Sequence, residues 1–334
     1  ANGNIFFDTE KGVSKFDGHT FKTLQMAYPD FPLNNWVLKP DDLWFRIGST
    51  KNGAYRYDGK YLHYLKLPTS PQENTFYKNN PNSSLKPYGL YTIYKDRKGF
   101  MWFGTKDGLN RFDGYSFKTF RKNVTDSNSI GNNYIQSLYE DKQGRMYVGT
   151  DKGLYQYIDK TEEFRLLPST KEHSIFKLTG DTKGNLWFIS GFAVCKYSLV
   201  NNTLDYFDHP TFFIASAICT TSDGNVWVGT ANGELKKYQA ANRSFTSIPL
   251  FKNTDVTKYK YIETIVQTNT GQLLAGTNNA DIKLIDPVKE TYIDLPLTLK
   301  RETNFYVKRI LQISPNEFWL GTASGIFVYN LQTG

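Results

Sequence analysis

Apolar and polar positions alternate along this chain in short runs, and Gly, Asp and Asn break the runs at regular intervals. Ile135-Gln136-Ser137-Leu138-Tyr139 alternates, and Asp141-Lys142-Gln143-Gly144 turns. Met146-Tyr147-Val148-Gly149 is apolar, Gly153-Leu154-Tyr155-Gln156-Tyr157 alternates again, and Phe164-Arg165-Leu166-Leu167 closes the set. Period-two alternation rich in Tyr, Phe, Ile and Val predicts four strands of roughly 4–5 residues each. Asp-Gly in Phe16-Asp17-Gly18, Tyr57-Asp58-Gly59 and Phe112-Asp113-Gly114 predicts tight hairpins, because Asp-Gly accepts the positive φ they need. No stretch sustains an i, i+3, i+4 apolar face with caps, so no helix is expected.

The set recurs eight times. Its anchors are Phe6, Trp44, Trp102, Tyr147, Trp187, Trp227, Leu274 and Trp319, spaced 38 to 58 residues apart. Nine residues before the anchor, six copies carry Ile93, Leu138, Leu178, Ile218, Ile265 or Ile310. Gly99, Gly144, Gly184, Gly224 and Gly271 stand three residues before it, and Gly12, Gly108, Gly153, Gly233 and Gly325 six after it. Four-stranded units repeated at this period predict an all-β chain forming one β-propeller over residues 1–334. A linear β-solenoid has a shorter repeat and lacks this turn-rich unit. Seven blades are expected, with Phe21–Leu24 closing the last blade beside Ile326–Tyr329 and residues 1–17 overhanging as a hairpin. Eight blades is the alternative. The overhang leads to the expectation that the chain belongs to a longer array.

Charge and chemistry alter this picture little. Net charge is +8, from 40 Lys+Arg against 32 Asp+Glu, but no run of five basic residues exists. A nucleic-acid partner is therefore not expected, and attraction to anionic glycans or to a membrane surface fits better, although charge alone does not establish it. No apolar run is long enough to span a membrane. Cys195 and Cys219 fall in the third strand of one unit and the first strand of the next, which predicts buried free thiols rather than a disulfide. His19, His63, His173 and His209 share no register, so neither a metal site nor a cofactor is expected.

Asp96 to Asp113, with Asp-x-x-Gly-x-x-Trp-x-Gly-Thr-x-x-Gly-Leu-x-x-Phe-Asp, resembles the two-component regulator propeller repeat. Asp141 to Tyr157 matches with Tyr147 for Trp. Trp227-Val228-Gly229-Thr230 and Trp319-Leu320-Gly321-Thr322 match the core, Leu274-Ala275-Gly276-Thr277 lacks the Trp, and Trp187-Phe188-Ile189-Ser190 lacks the Gly-Thr. The resemblance implies an exported, periplasmic sensory propeller of a Bacteroides-type hybrid two-component system, responding to oligosaccharides. It also implies a second propeller or a β-sandwich as neighbouring domains. The fold itself implies none of this.

Residues at fixed register are expected to serve the fold: Asp96, Asp141 and Asp181 as turn residues, and Trp102, Trp187, Trp227 and Trp319 as core between blades. Catalysis is not expected; the enzymatic alternative is a polysaccharide-acting propeller with an unpatterned carboxylate pair. Functional residues should break the register and lie on the links that enter each first strand, which share a face with the second-to-third-strand turns. The candidates for ligand binding are Trp36, Tyr88, Lys106, Tyr134, Phe213, Tyr261, Arg301 and Tyr306. Their aromatic rings suit stacking on sugars and their cations suit acidic groups. A module that only docks another protein is the rival reading.

Overall fold

Strands account for the regular structure of this chain. The computed structural model describes residues 5–9, 12–17, 20–24, 42–45, 53–57, 62–70, 89–208, 214–251, 260–278, 282–295, 306–322 and 325–333. Among them lie eight antiparallel sheets and no helix. The chain divides into two compact units, Ala1–Phe176 and Lys177–Gly334.

In the first unit, one sheet joins β1 (Ile5–Thr9), β2 (Gly12–Phe16) and β3 (Phe21–Thr23), and the next joins β4 (Leu43–Phe45), β5 (Gly53–Tyr57) and β6 (Leu62–Lys66). Two four-stranded sheets follow: β7 (Leu90–Lys95), β8 (Met101–Thr105), β9 (Gly108–Phe112) and β10 (Phe117–Phe120), then β11 (Ile135–Glu140), β12 (Met146–Thr150), β13 (Gly153–Ile158) and β14 (Glu163–Leu166). The second unit begins within the sheet of β15 (Phe176–Gly180), β16 (Asn185–Ser190), β17 (Ala193–Ser198) and β18 (Thr203–Phe207). It continues with β19 (Ala215–Thr220), β20 (Val226–Thr230), β21 (Glu234–Gln239) and β22 (Ser244–Pro249), and with β23 (Ile262–Gln267), β24 (Leu273–Thr277), β25 (Ile282–Asp286) and β26 (Thr291–Leu295). It ends with β27 (Val307–Gln312), β28 (Glu317–Thr322) and β29 (Gly325–Asn330).

This is the expected propeller class. The seven sheets from β4 onward are its blades, and five of them show all four strands among the described residues. One expectation is corrected. Phe21–Thr23 belongs to the first sheet, in the order β1-β2-β3, and pairs with β2 from Phe16↔Phe21 to Ser14↔Thr23. The reason is local. Asp17 Oδ1 accepts the Thr20 amide (2.8 Å) and Oδ2 the Thr20 hydroxyl (3.1 Å), pinning a short hairpin. Closing so short a loop costs far less entropy than pairing with the far end of the chain.

The anchors are core, as their register predicts. Trp102, Trp187 and Trp227 are buried, and Trp319 nearly so. Trp102 meets Tyr157 of the next blade edge-on at 5.1 Å, and Trp187 meets Tyr238 at 4.7 Å. Phe120 and Phe164 complete the first cluster; Phe207 and Phe245 stand in the same places in the second. Such pairs add about 0.5–1.5 kcal/mol each beyond their buried area. Over Trp102, Trp187 and Trp227 lies the cation paired across from each: Arg111 at 5.6 Å, Lys196 at 5.8 Å and Lys237 at 5.2 Å.

The aspartates shape the turns and hold the anchors. Asp96 Oδ1 accepts the amides of Lys98 (3.0 Å) and Phe100 (2.9 Å), and its Oδ2 accepts the Trp102 indole (2.7 Å). Asp181 repeats this with Lys183, Asn185 and Trp187. Asp141 does so with Gln143, Arg145 and the Tyr147 hydroxyl.

The Gly-Thr of the repeat has two separate jobs. A Cβ on Gly104 would lie 2.5 Å from Thr92 Cγ2 and 2.8 Å from Ile135 Cγ2; on Gly149 it would lie 2.7 Å from Ile175 Cγ2. The glycine leaves room for the β-branched residue that opens the next blade. The Thr is buried and caps the turn that follows: Thr105 Oγ1 donates to Gly108 O (2.8 Å) and accepts the Asp107 amide (3.0 Å). Ile189 replaces the glycine in one copy, and there the next blade opens with Ala215 instead of Ile or Val. Both are buried in one cluster.

Candidate functional site

Among the described residues, four blades tie the end of their incoming link to their own second-to-third-strand turn. Lys106 N donates to Gly89 O (3.2 Å), Asp151 N to Tyr134 O (3.0 Å), Ala231 N to Ile214 O (2.8 Å) and Asn278 N to Tyr261 O (3.0 Å). The turn also reaches the following link, through Gly108 N to Asn133 O and Gly153 N to His173 O, both 2.8 Å. Links and turns therefore share one face of these blades, as expected. The 66–89 link starts on this face pinned: Ser70 N donates to Asp107 Oδ2 (2.6 Å), and Arg121 bonds both Asp107 O (2.9 Å) and Asp107 Oδ2 (3.2 Å).

Of the residues singled out in the sequence, Trp36, Tyr88, Phe213 and Arg301 lie outside the described residues. Lys106 is exposed at the β8–β9 turn. Tyr134, Tyr261 and Tyr306 are half-buried directly before β11, β23 and β27.

In the first unit, Tyr134 packs against a residue that the sequence reading missed, and Lys106 is tied to the link before that residue through its backbone amide on Gly89 O. The Tyr91 ring lies over Gly89, where a Cβ would meet it at 2.6 Å, and packs on Tyr134 with centroids 4.6 Å apart and planes 47° apart. Tyr91 keeps 39% of its surface exposed, so the ring pair is open to a ligand. A polar bracket stands beside it. Gln136 Nε2 donates to Asp151 Oδ1 (3.1 Å) and Ser174 Oγ (2.9 Å), and Ser174 Oγ donates to the same Asp151 oxygen (3.0 Å). Gln136 Oε1 is buried and has no donor. Burial, the bond to Tyr91 and the Asp151 charge all push the Tyr134 hydroxyl well above the ordinary phenol range. It therefore stays a neutral donor and acceptor at any physiological pH.

In the second unit, Tyr261 stands beside Glu263. Burial first, and then the Glu263 charge, raise its hydroxyl. Glu263 is itself raised by burial, an effect opposed by Lys177 and Lys308. Lys177 is lowered by burial and by Arg309, and Glu263 opposes this.

The missed residues occupy one register. Strand pairing skips a residue between Leu90 and Thr92, Ile135 and Ser137, Ala215 and Ala217, Ile262 and Thr264, and Val307 and Arg309. The skipped residues are Tyr91, Gln136, Ser216, Glu263 and Lys308. A bulge re-aims its side chain. Residue type varies at this position, eleven before the anchor, but it also varies at other positions of the same strand, so the sequence alone did not single it out.

The cysteines lie in β17 and β19 as expected, both free, with burial pushing the Cys195 thiol to about 12 and that of Cys219 to about 11. Among the described residues no group of three His, Cys, Asp or Glu is placed to hold a metal ion.

The repeated antiparallel sheets, packed through their first strands, define a β-propeller as the class of this chain. Residues 84–107, 129–152 and 213–232 match the family model of the two component regulator propeller, and the chain carries that family's repeats. It is 39% identical over 69 residues to Histidine kinase P4 of Formosa agariphila, covering 20% of this chain and 5% of that protein. Its fold is similar to the extracellular domain of the hybrid two component system BT3049 from B. thetaiotaomicron, with TM-score 0.64 and 23% identity over 89% of this chain and 40% of that one. It is likewise similar to virginiamycin B lyase from Staphylococcus aureus, with TM-score 0.61 and 13% identity over 88% of this chain and 92% of that one. The chain thus spans well under half the length of the sensor proteins it resembles.

Proposed function

We propose that this chain is the exported, periplasmic recognition propeller of a two-component signalling protein, and that it binds an oligosaccharide on its link-and-turn face without transforming it. The observation that carries this reading is the exposed Tyr91–Tyr134 pair beside the Gln136–Asp151–Ser174 bracket. A pyranose ring offers an apolar face to such a platform and hydroxyls to such a bracket. The repeat family and the likeness to extracellular sensor domains support the signalling role. The likeness to a lyase is one of fold and brings no chemistry with it. The turn aspartates Asp96, Asp141 and Asp181 are engaged by backbone amides and anchor side chains, which supports their reading as fold residues.

A docking role is favoured by a different observation: on the last sheet, Leu311 and Val328 flank Trp319 in register and are 55% and 51% exposed. A second propeller or a β-sandwich of the same protein is the partner such a face would take. Glycan-array screening of this chain, repeated with the adjoining domain present, tests the reading. Binding of a defined oligosaccharide is expected in at least one format; no binding in both leaves only the docking role.

A further inference from the structure

We propose that the Gln136–Asp151–Ser174 bracket beside the Tyr91–Tyr134 pair selects a sugar carrying a free ammonium group, so that this face takes an amino-sugar oligomer rather than an acidic or N-acetylated one. The inference rests on the oligosaccharide reading of that face and adds the chemical class of the sugar.

Four segments of the first unit meet here. Tyr134 ends one link, and its carbonyl accepts the amide of Asp151 at the β12–β13 turn (3.0 Å). Gln136 is the residue that strand pairing skips in β11, and Ser174 comes from the following link. Tyr91 is the skipped residue of β7, and its ring packs on Tyr134.

The side-chain hydrogens of the bracket are all engaged inside it. Gln136 Nε2 donates to Asp151 Oδ1 (3.1 Å) and to Ser174 Oγ (2.9 Å), and Ser174 Oγ donates to Asp151 Oδ1 (3.0 Å). A primary amide has two hydrogens and a hydroxyl one, so no donor is left over. Nearby backbone amides are engaged too: Tyr134 N on Asn132 Oδ1 (2.8 Å), Lys152 N on Thr150 Oγ1 (3.1 Å) and Lys106 N on Gly89 O (3.2 Å). What remains is two acceptors. Gln136 Oε1 is buried and meets no donor. Asp151 Oδ2 accepts no hydrogen bond among the described residues, and no cation there pairs with this half-buried carboxylate.

A buried acceptor without a donor is costly, and a carboxylate without a partner more so. A hydroxyl brings one hydrogen and no charge. An ammonium brings three hydrogens and offsets the carboxylate, through bonds roughly twice as strong as neutral ones. The tyrosine faces add cation–π attraction. An acidic sugar meets a like charge and finds no donor in the bracket. Lys106 and Lys152 stand on the two adjoining turns, but both are exposed, and solvent screens their charge.

Calorimetric titration of the whole chain with the tetramers of glucosamine, N-acetylglucosamine and glucose, all in one linkage, tests the selection. The titrations are run at mildly acidic pH, where the amino groups carry their protons. The glucosamine tetramer is expected to bind one saturable site about tenfold or more tighter than either of the others, the difference a charge-assisted bond makes. Net charge is +8, so nonspecific attraction of a cationic sugar is not expected. Asp151→Asn keeps the oxygen that Gln136 and Ser174 bond and removes the charge, so it should reduce the preference to about twofold or less. Equal or tighter binding of the glucose or N-acetylglucosamine tetramer by the native chain, or an unchanged preference in a cooperatively melting Asp151→Asn chain, overturns the selection and leaves the oligosaccharide reading standing. Failure of the glucosamine tetramer to bind overturns it as well, and the oligosaccharide reading falls with it only if the glycan array is also blank.

Discussion

Gly104 and Gly321 hold the same place in the repeat, two residues after the anchor, but their surroundings differ. A methyl group on Gly104 would meet Thr92 and Ile135 at 2.5 and 2.8 Å, whereas on Gly321 its nearest neighbour would be Arg309 Cβ at 3.5 Å. Gly104→Ala is therefore expected to cost about 1–3 kcal/mol through overpacking, and Gly321→Ala to stay within about 0.5 kcal/mol. Denaturant midpoints at constant m-value check both. The anchors differ in a parallel way. Trp102 and Trp187 donate to Asp96 and Asp181, but Thr221 stands where Trp227 would need an aspartate, and the Trp227 Nε1 is buried without a partner. Replacement by Phe should cost less at Trp227 than at Trp187, by about 1 kcal/mol, the worth of one buried hydrogen bond. Equal costs would mean that the indole bond contributes nothing. The Asp and Gly of the motif were readable as turn and fold residues from their offsets. The carboxylate-to-indole bond was not, because it joins residues that only the folded turn brings together.

At the scale of the element, Ile189 and Ala215 reverse the usual size pairing of Gly with Ile or Val between one blade's second strand and the next blade's first. Ile189→Gly alone should open a cavity and Ala215→Ile alone should overpack, each destabilising by roughly 1–4 kcal/mol. The double variant restores the arrangement seen at Gly149 and Ile175, and should recover at least ~1 kcal/mol of the summed loss as coupling energy. Additive losses would show that the two side chains do not share one space. The sequence made Ile189 look like a defective copy of the motif. Nothing in a local pattern announces that its compensation lies 26 residues downstream, at Ala215. The same limit applies to the candidate site. Lys106 and Tyr134 were legible because aromatics and cations stood out on links. Tyr91 and Gln136 were not, because a bulged residue inside a strand looks like any other strand residue until pairing shows that it is skipped.

At the scale of the whole molecule, strand number, order and class followed from period and turn residues, while the place of Phe21–Thr23 did not. Two pairings were open to it, and a short hairpin outcompetes a distant partner. Deleting residues 1–17 should accordingly strip β3 of β2, leave an unpaired edge and promote aggregation. Deleting residues 1–24 removes the first sheet entirely and should leave a cooperatively melting chain. Light scattering with thermal melts separates the cases, and the opposite order would return β3 to the last blade.

Recognition of an oligosaccharide through the Tyr91–Tyr134 platform is the central claim. Calorimetric titration of the best array-selected oligosaccharide into the native chain and into Tyr134→Ala, a half-exposed position whose loss should spare the fold, addresses it most directly. The account predicts saturable binding by the native chain and a loss of about tenfold or more in the variant, roughly 1.4 kcal/mol of binding free energy. Undiminished affinity in a folded Tyr134→Ala chain would contradict it.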